Sequence, residues 1–137
     1  MFFHNKPVET GMVIVDYIQL MFGEPKEIVT ALYDLSVKIN APVVVVSQVS
    51  RTLEERSDKR PTENDLLWES TLNSVFRKMM FVYRESYYDR EYEESADRSD
   101  AEVIEIDKEM NRRRVLKMRL DRKTLLLEDA VAEGNID

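Results

Sequence analysis

Two short runs of uninterrupted apolar residues, 12–15 and 43–46, stand out in the first third of the chain. Consecutive β-branched residues without polar alternation suit strands covered on both faces, as in a parallel sheet. Between them Ile28, Leu32, Leu35 and Ile39 recur at helical spacing, with Ala31 beside them and Lys26, Asp34 and Lys38 outside. This pattern predicts an amphipathic helix over Pro25–Ile39. Pro25 is tolerated in a first helical turn, while Asn40 favours a C-terminal cap and Pro42 cannot continue the helix. Strand, helix and strand in this order make a right-handed parallel βαβ unit, so both runs should end at the same sheet edge.

Further along, residues 49–63 are dominated by charge and read as a long exposed loop. Asn64 or Asp65 caps a helix expected to run to about Arg77 and to bury Leu66, Leu67, Leu72, Val75 and Phe76. Residues 79–83 form a third apolar strand. Tyr87, Tyr88 and Tyr92 then lie among seven acidic residues in the polar stretch 84–100, which reads as a loop with tyrosines that pack locally. Residues 101–106 and 115–120 return to strand character. In the latter, Leu116, Met118 and Leu120 alternate with Lys117 and Arg119. The two form a hairpin whose tip, residues 107–114, is basic, and a last short strand spans 124–127. The organisation expected is a lead-in segment over 1–10, a domain over 11–129 and a polar tail over 130–137.

Composition narrows the possibilities. The 137 residues suffice for one domain with a core, but are few for a complete nucleotide-hydrolase domain. A net charge of -7 argues against a generally basic nucleic-acid binder, leaving local basic loops for such contacts. With no cysteine there is no disulfide framework, zinc ribbon or thiol nucleophile. The single histidine, His4, lies in the lead-in segment and reads as a surface residue. Neither a membrane-spanning run nor a signal sequence is legible, so a cytoplasmic protein is the default expectation.

The candidate chemistry sits at the strand ends. Asp16 follows the first apolar run and Ser47-Gln48 the second, at the edge where open α/β sheets bind ligands. A carboxylate there suits Mg²⁺ and an amide suits a phosphate oxygen; the competing reading is that Ser47 and Gln48 only terminate a strand. Arg51, Lys59 and Arg60 are candidates for phosphates of DNA or nucleotide, or else belong to a solvated mixed-charge face.

Taken in order, Val13-Ile-Val-Asp-Tyr-Ile-Gln-Leu-Met21, Ala41-Pro-Val-Val-Val-Val-Ser-Gln-Val-Ser-Arg51, Asp58-Lys-Arg-Pro61 with Asp65-Leu66, and Phe81-Val-Tyr-Arg-Glu-Ser-Tyr-Tyr88 resemble successive motifs of DnaB-type replicative DNA helicases. The likeness runs from about residue 11 to 106, and more loosely to 129. It implies a partial RecA-like α/β fold of the P-loop NTPase type, with a mostly parallel sheet, flanking helices and a C-terminal β-hairpin. It also implies an ATP-driven, Mg²⁺-dependent motor that encircles single-stranded DNA as a hexamer in phage or bacterial DNA replication. By this resemblance Asp16 matches the metal-associated Walker B carboxylate and Gln48 the glutamine that senses the γ-phosphate. Lys108 matches a lysine presented in trans at the hairpin tip, although Met110 stands where the family has an arginine; Arg112, Arg113 and Arg114 are possible substitutes.

Two further departures bear on activity. Leu67-Trp68-Glu69-Ser70 replaces the Arg-Glu-Ser-Gly core of the family's DNA-contacting loop, removing a phosphate-binding cation and a flexible glycine. No Gly-x-x-x-x-Gly-Lys-[Ser/Thr] sequence occurs, and Gly11, Gly23 and Gly134 are too dispersed to build a phosphate-cradling loop. The expectation is a motor portion, a split half or truncated product, that is inactive alone and pairs with a complementary half carrying the Walker A loop or with helicase subunits. The alternative is a degenerate, non-enzymatic relative that binds and modulates a helicase ring.

Overall fold

The computed structural model describes residues 11–88 and 98–130. The lead-in segment with His4, the stretch holding Tyr92 and the tail lie outside these residues. The chain divides into two compact units: one takes residues up to Ser50 together with Glu63–Val75, the other Arg51–Thr62 together with the chain from Phe76 onward.

In the first unit β1 (Val13–Val15), α1 (Pro25–Ile39) and β2 (Val43–Val45) form the expected βαβ motif, with Val13, Ile14 and Val15 opposite Val43, Val44 and Val45 in parallel register. The α1 bounds agree with those read from the sequence. Its C-terminal cap, Asn40, is left-handed at φ 48°, and its N–H returns to the carbonyls of Ser36 and Val37. Ile28, Val29 and Leu32 are buried, each contributing roughly 1.5–3 kcal/mol of apolar burial. One expectation fails here: the strands are not covered on both faces. Val13, Val15, Val43 and Val45 are half-buried, whereas Met12, Ile14, Val44 and Val46 are exposed.

The single helix expected from Asn64 to Arg77 is instead a 3₁₀ turn, Glu63–Asp65, followed by the short α2 (Glu69–Val75). Leu66 forms an antiparallel bridge with Val49, and the Leu67 N–H bonds to the Gln48 carbonyl at 3.1 Å. Those backbone commitments exclude a helix at 66–67, so α2 begins only after Trp68, a residue at φ 62°. Of the five residues expected to be buried, Leu72 is buried; Leu66, Leu67, Val75 and Phe76 are half-buried.

The second unit is built on an antiparallel sheet, β3 (Lys78–Tyr83), β4 (Arg98–Asp107), β5 (Arg112–Asp121) and β6 (Leu127–Asp129), paired in chain order. The mixed α/β class stands, with a larger antiparallel share than expected because β3 pairs with the hairpin strand β4. Met79, Phe81 and Tyr83 alternate with Lys78, Met80 and Val82, and the first three join Ile104 in the core. Leu53, in the 3₁₀ turn Arg51–Glu55 of the charged stretch, is also buried.

The hairpin tip is shorter than expected. Lys108, Glu109, Met110 and Asn111 make the turn, while Arg112, Arg113 and Arg114 lie within β5 opposite Asp107, Ile106 and Glu105. Asp107 sets this boundary: its Oδ1 accepts the Met110 N–H at 3.0 Å, and Asn111 takes the left-handed conformation that closes the turn. The last strand is likewise displaced from 124–127, because Asp121 Oδ1 accepts the N–H groups of Lys123 and Thr124 and draws those residues into a turn.

Candidate functional site

Asp16 stands immediately beyond β1, exposed, at the same edge as the chain leaving β2. The two exits are stitched together by backbone bonds from Val46 N–H to the Val15 carbonyl at 2.9 Å and from Ile18 N–H to the Val46 carbonyl at 3.0 Å. Ile18 is fully buried and anchors the turn that follows Asp16. Next to it, the Gln19 side chain bridges both exits: its Nε2 donates to Ser47 Oγ at 2.8 Å and its Oε1 accepts the Gln48 N–H at 3.3 Å. The Gln48 carbonyl in turn accepts from Leu67. Both backbone groups of Gln48 are therefore held, and the residue itself is exposed.

Sequence reasoning placed Asp16 and Gln48 at one edge, and so does the fold. It missed Gln19. The only available signal was a lone amide in the apolar run Ile18-Gln19-Leu20-Met21.

The remaining candidates belong to the second unit. Arg51 is exposed at the start of its 3₁₀ turn. Lys59 donates to the Arg56 carbonyl at 2.8 Å and lies 5.9 Å from the Tyr88 ring centroid. Arg60 is the most committed of the three. Its Nε and Nη2 donate to the Glu102 carboxylate at 2.8 and 3.2 Å, its Nη1 reaches Asp58 at 3.4 Å, and its guanidinium sits 5.0 Å over the Tyr83 ring. Lys117 also donates to Glu102. The Arg60 bonds, with those of Lys117, hold the Glu102 carboxyl down at about 2 despite its burial, and the same pairing raises Arg60 above its ordinary value. Tyr88 stacks on Tyr83 with centroids 6.0 Å apart and meets Tyr87 edge-on at 5.0 Å, so these tyrosines do pack locally.

At the hairpin tip Lys108 is half-buried, and its N–H bonds to the Arg77 carbonyl at 2.9 Å. The three arginines offered as substitutes for a finger are strand residues, and Arg114 is paired with Glu105 at 2.7 Å. The Met110 N–H and nearby Lys78 hold the Asp107 carboxyl below its ordinary value.

A family model described as the DnaB-like helicase C terminal domain matches residues 3–123. The chain belongs to this DnaB-like helicase family. It is 38% identical over 110 residues to the replicative DNA helicase DnaB of Haemophilus influenzae and 34% identical over 93 residues to the replicative DNA helicase DnaC of Bacillus subtilis. These alignments take in 74% and 61% of this chain but 23% and 20% of the relatives, so the chain spans about a quarter or less of their length. In structure it resembles a solved ATPase domain at a TM-score of 0.74 and 25% identity, covering 90% of this chain and 46% of that one. A DnaB-like replicative helicase solved for its interactions with primase gives a TM-score of 0.66 at 27% identity, over 82% of this chain and 28% of that one. The RecA-like motor fold expected from the motifs is thereby borne out.

This DnaB-like portion fits the two groups of the family's chemistry unequally. Among the described residues no cluster of three or more His, Cys, Asp or Glu could cage a metal ion. A single exposed carboxylate does suit Mg²⁺, which is commonly bound through one or two carboxylates with substrate phosphates and water completing its shell. The phosphate cradle does not fit. A Cβ placed on Gly23 would meet the Ile28 side chain at 3.6 Å, so that glycine serves an apolar turn at φ 131°, and Gly11 faces open space. No helix among the described residues is long and apolar enough to cross a membrane.

Proposed function

We propose that this chain is the metal-holding, γ-phosphate-sensing portion of an ATP-driven replicative DNA helicase motor, and that it works with a segment carrying the Walker A phosphate-binding loop. The observation behind this reading is the shared edge of Asp16 and Gln48, with Gln48 held at both backbone groups and exposed. The two backbone bonds fix where the Gln48 side chain leaves the strand exit, and its amide projects from an exposed residue. In the assembled motor Asp16 holds Mg²⁺ or its water, and the Gln48 amide donates to a γ-phosphate oxygen. Magnesium bound there neutralises charge on the phosphates. Lys108 faces the nucleotide of a neighbouring subunit in a ring of six around single-stranded DNA, and Arg51 and Lys59 meet its phosphates. Arg60 acts mainly within its own unit, since Glu102 and Asp58 occupy its donors.

The test is ATP hydrolysis. The purified chain alone should be inactive, and addition of a polypeptide bearing the phosphate-binding loop of a relative's motor domain should restore turnover. Asp16→Asn should then lower the restored rate by about a hundredfold, the scale of losing one preorganised electrostatic group. Hydrolysis by the chain alone, lost in Asp16→Asn, would overturn the division of labour. The short tip supports a second reading. With its arginines drawn into β5, the chain would be a non-enzymatic relative that docks on a helicase ring. A stable complex with a full-length helicase, without restored hydrolysis, is its signature.

A further inference from the structure

Backbone pairing of the two strand exits ends at Val46, which donates to the Val15 carbonyl and accepts from the Ile18 N–H. Gln48 lies two residues further out, and there a side chain continues the link. Gln19 Nε2 donates to Ser47 Oγ at 2.8 Å, the Ser47 hydroxyl donates to the Gln48 carbonyl at 3.2 Å, and the Gln48 N–H donates to Gln19 Oε1. The three bonds close a ring. An amide fits this place because it offers a donor and an acceptor at a fixed separation, whereas a carboxylate only accepts. Bonds arranged head to tail also polarise one another. Gln19 is in turn closely placed with respect to Asp16. It is the middle residue of the 3₁₀ turn Ile18–Leu20, which is closed by the Leu20 N–H on the Tyr17 carbonyl and the Met21 N–H on the Ile18 carbonyl, each at 3.1 Å.

We infer that Gln19 is a positioning residue: it fixes Gln48 with respect to Asp16, so that the carboxylate taking the metal and the amide reading the γ-phosphate are held as one piece. The inference rests on the functional reading above and adds the group that joins its two residues. Gln19 touches neither metal nor phosphate and acts through Gln48. An exposed glutamine has several rotatable bonds, and holding its N–H and carbonyl confines where the side chain starts. Such confinement matters because a misplacement of about 1 Å costs roughly a hundredfold in rate where reacting groups must be aligned.

Amide hydrogen exchange in the full chain, measured without nucleotide, tests the ring separately from hydrolysis. Gln19→Met, of similar length but without hydrogen-bonding groups, should speed exchange at the Gln48 N–H by about tenfold, the scale of one lost hydrogen bond. The N–H groups of Ile18 and Val46, bonded to backbone carbonyls, should keep their rates. Gln19→Glu retains the accepting oxygen and should return Gln48 to slow exchange. Unchanged exchange at Gln48 in Gln19→Met would overturn the placement, and so would equal acceleration at Ile18 and Val46, which would make Gln19 a general support of the strand exits. If Gln19→Met does not fold, Ser47→Ala decides, since it opens the ring and leaves Gln19 in place: faster exchange confined to Gln48 supports the placement and unchanged exchange overturns it.

The second readout is ATP hydrolysis by the chain joined with the polypeptide bearing the phosphate-binding loop. Gln19→Met should lower kcat by about tenfold and leave KM within about twofold. In a Gln48→Ala background the same substitution should cost less than about twofold, because a residue acting through Gln48 then has nothing to position. Equal losses in the two backgrounds would overturn the inference. If the wild-type chain hydrolyses nothing with that polypeptide, the functional reading fails and the exchange rates alone decide whether Gln19 places Gln48. If hydrolysis is restored while Gln48 exchange ignores Gln19→Met, the placement fails and the functional reading stands.

Discussion

The parallel pair and the antiparallel sheet make opposite use of similar residues. In β3 every second side chain is buried and its neighbours are exposed, and Ile104 of β4 has no exposed surface. Strands β4 and β5 run for ten residues each in continuous register. In β1 and β2, three-residue strands made wholly of Val and Ile pair with each other, and α1 packs near β2. The antiparallel sheet satisfies its own hydrophobic pattern. The parallel pair, among the described residues, leaves Met12, Ile14, Val44 and Val46 exposed on one face.

The sharpest way to break that contrast is to truncate each side in turn. Ile104→Ala should destabilise the second unit by about 2–5 kcal/mol through lost burial and a residual cavity, read as a lower urea midpoint for a probe in the sheet. A loss below 0.5 kcal/mol would mean that the sheet core is not as closed as its burial indicates. Acidification should have a smaller effect. Glu102 is held near 2 against an ordinary 4.5, so its pairing with Arg60 and Lys117 stabilises the fold above about 4.5, and this contribution disappears as pH falls toward 2. Since both cations are partly exposed, the loss should be on the order of 2 kcal/mol. Glu102→Gln should flatten the stability profile in that window; an unchanged profile would show that the ion pair does not hold the charged stretch. The smallest effect belongs to the parallel pair. Ile14→Ser in the chain alone should change stability by no more than about 0.5 kcal/mol, as for a surface substitution, and a larger loss would mean that the face is already covered.

The parts that followed from sequence were those governed by local rules. Pro25, the i, i+3, i+4 apolar spacing and Asn40 together specify α1 end to end, and the βαβ order then puts Asp16 and Gln48 at one edge. What escaped depended on distant backbone partners. Leu66 has helical neighbours in sequence, but its pairing with Val49 takes it out of the helix. The run Arg112–Arg114 reads as a charged tip by composition, but the capping carboxylate of Asp107 closes the turn at Asn111, three residues before that run ends. Arg60 is a phosphate candidate or part of a mixed-charge face by sequence, and its pairing with Glu102, 42 residues away in β4, is not legible locally. Gln19 was equally hidden, since its role exists only once the two strand exits are side by side.

The Gln19 bridge is also unequal in strength. Its bond to Ser47 is short, whereas the 3.3 Å bond to the Gln48 N–H lies beyond the usual range for such contacts. A pull on the strand exit therefore strains the contact at the Gln48 N–H before the one at Ser47, while the Gln48 carbonyl stays tied to the Leu67 N–H.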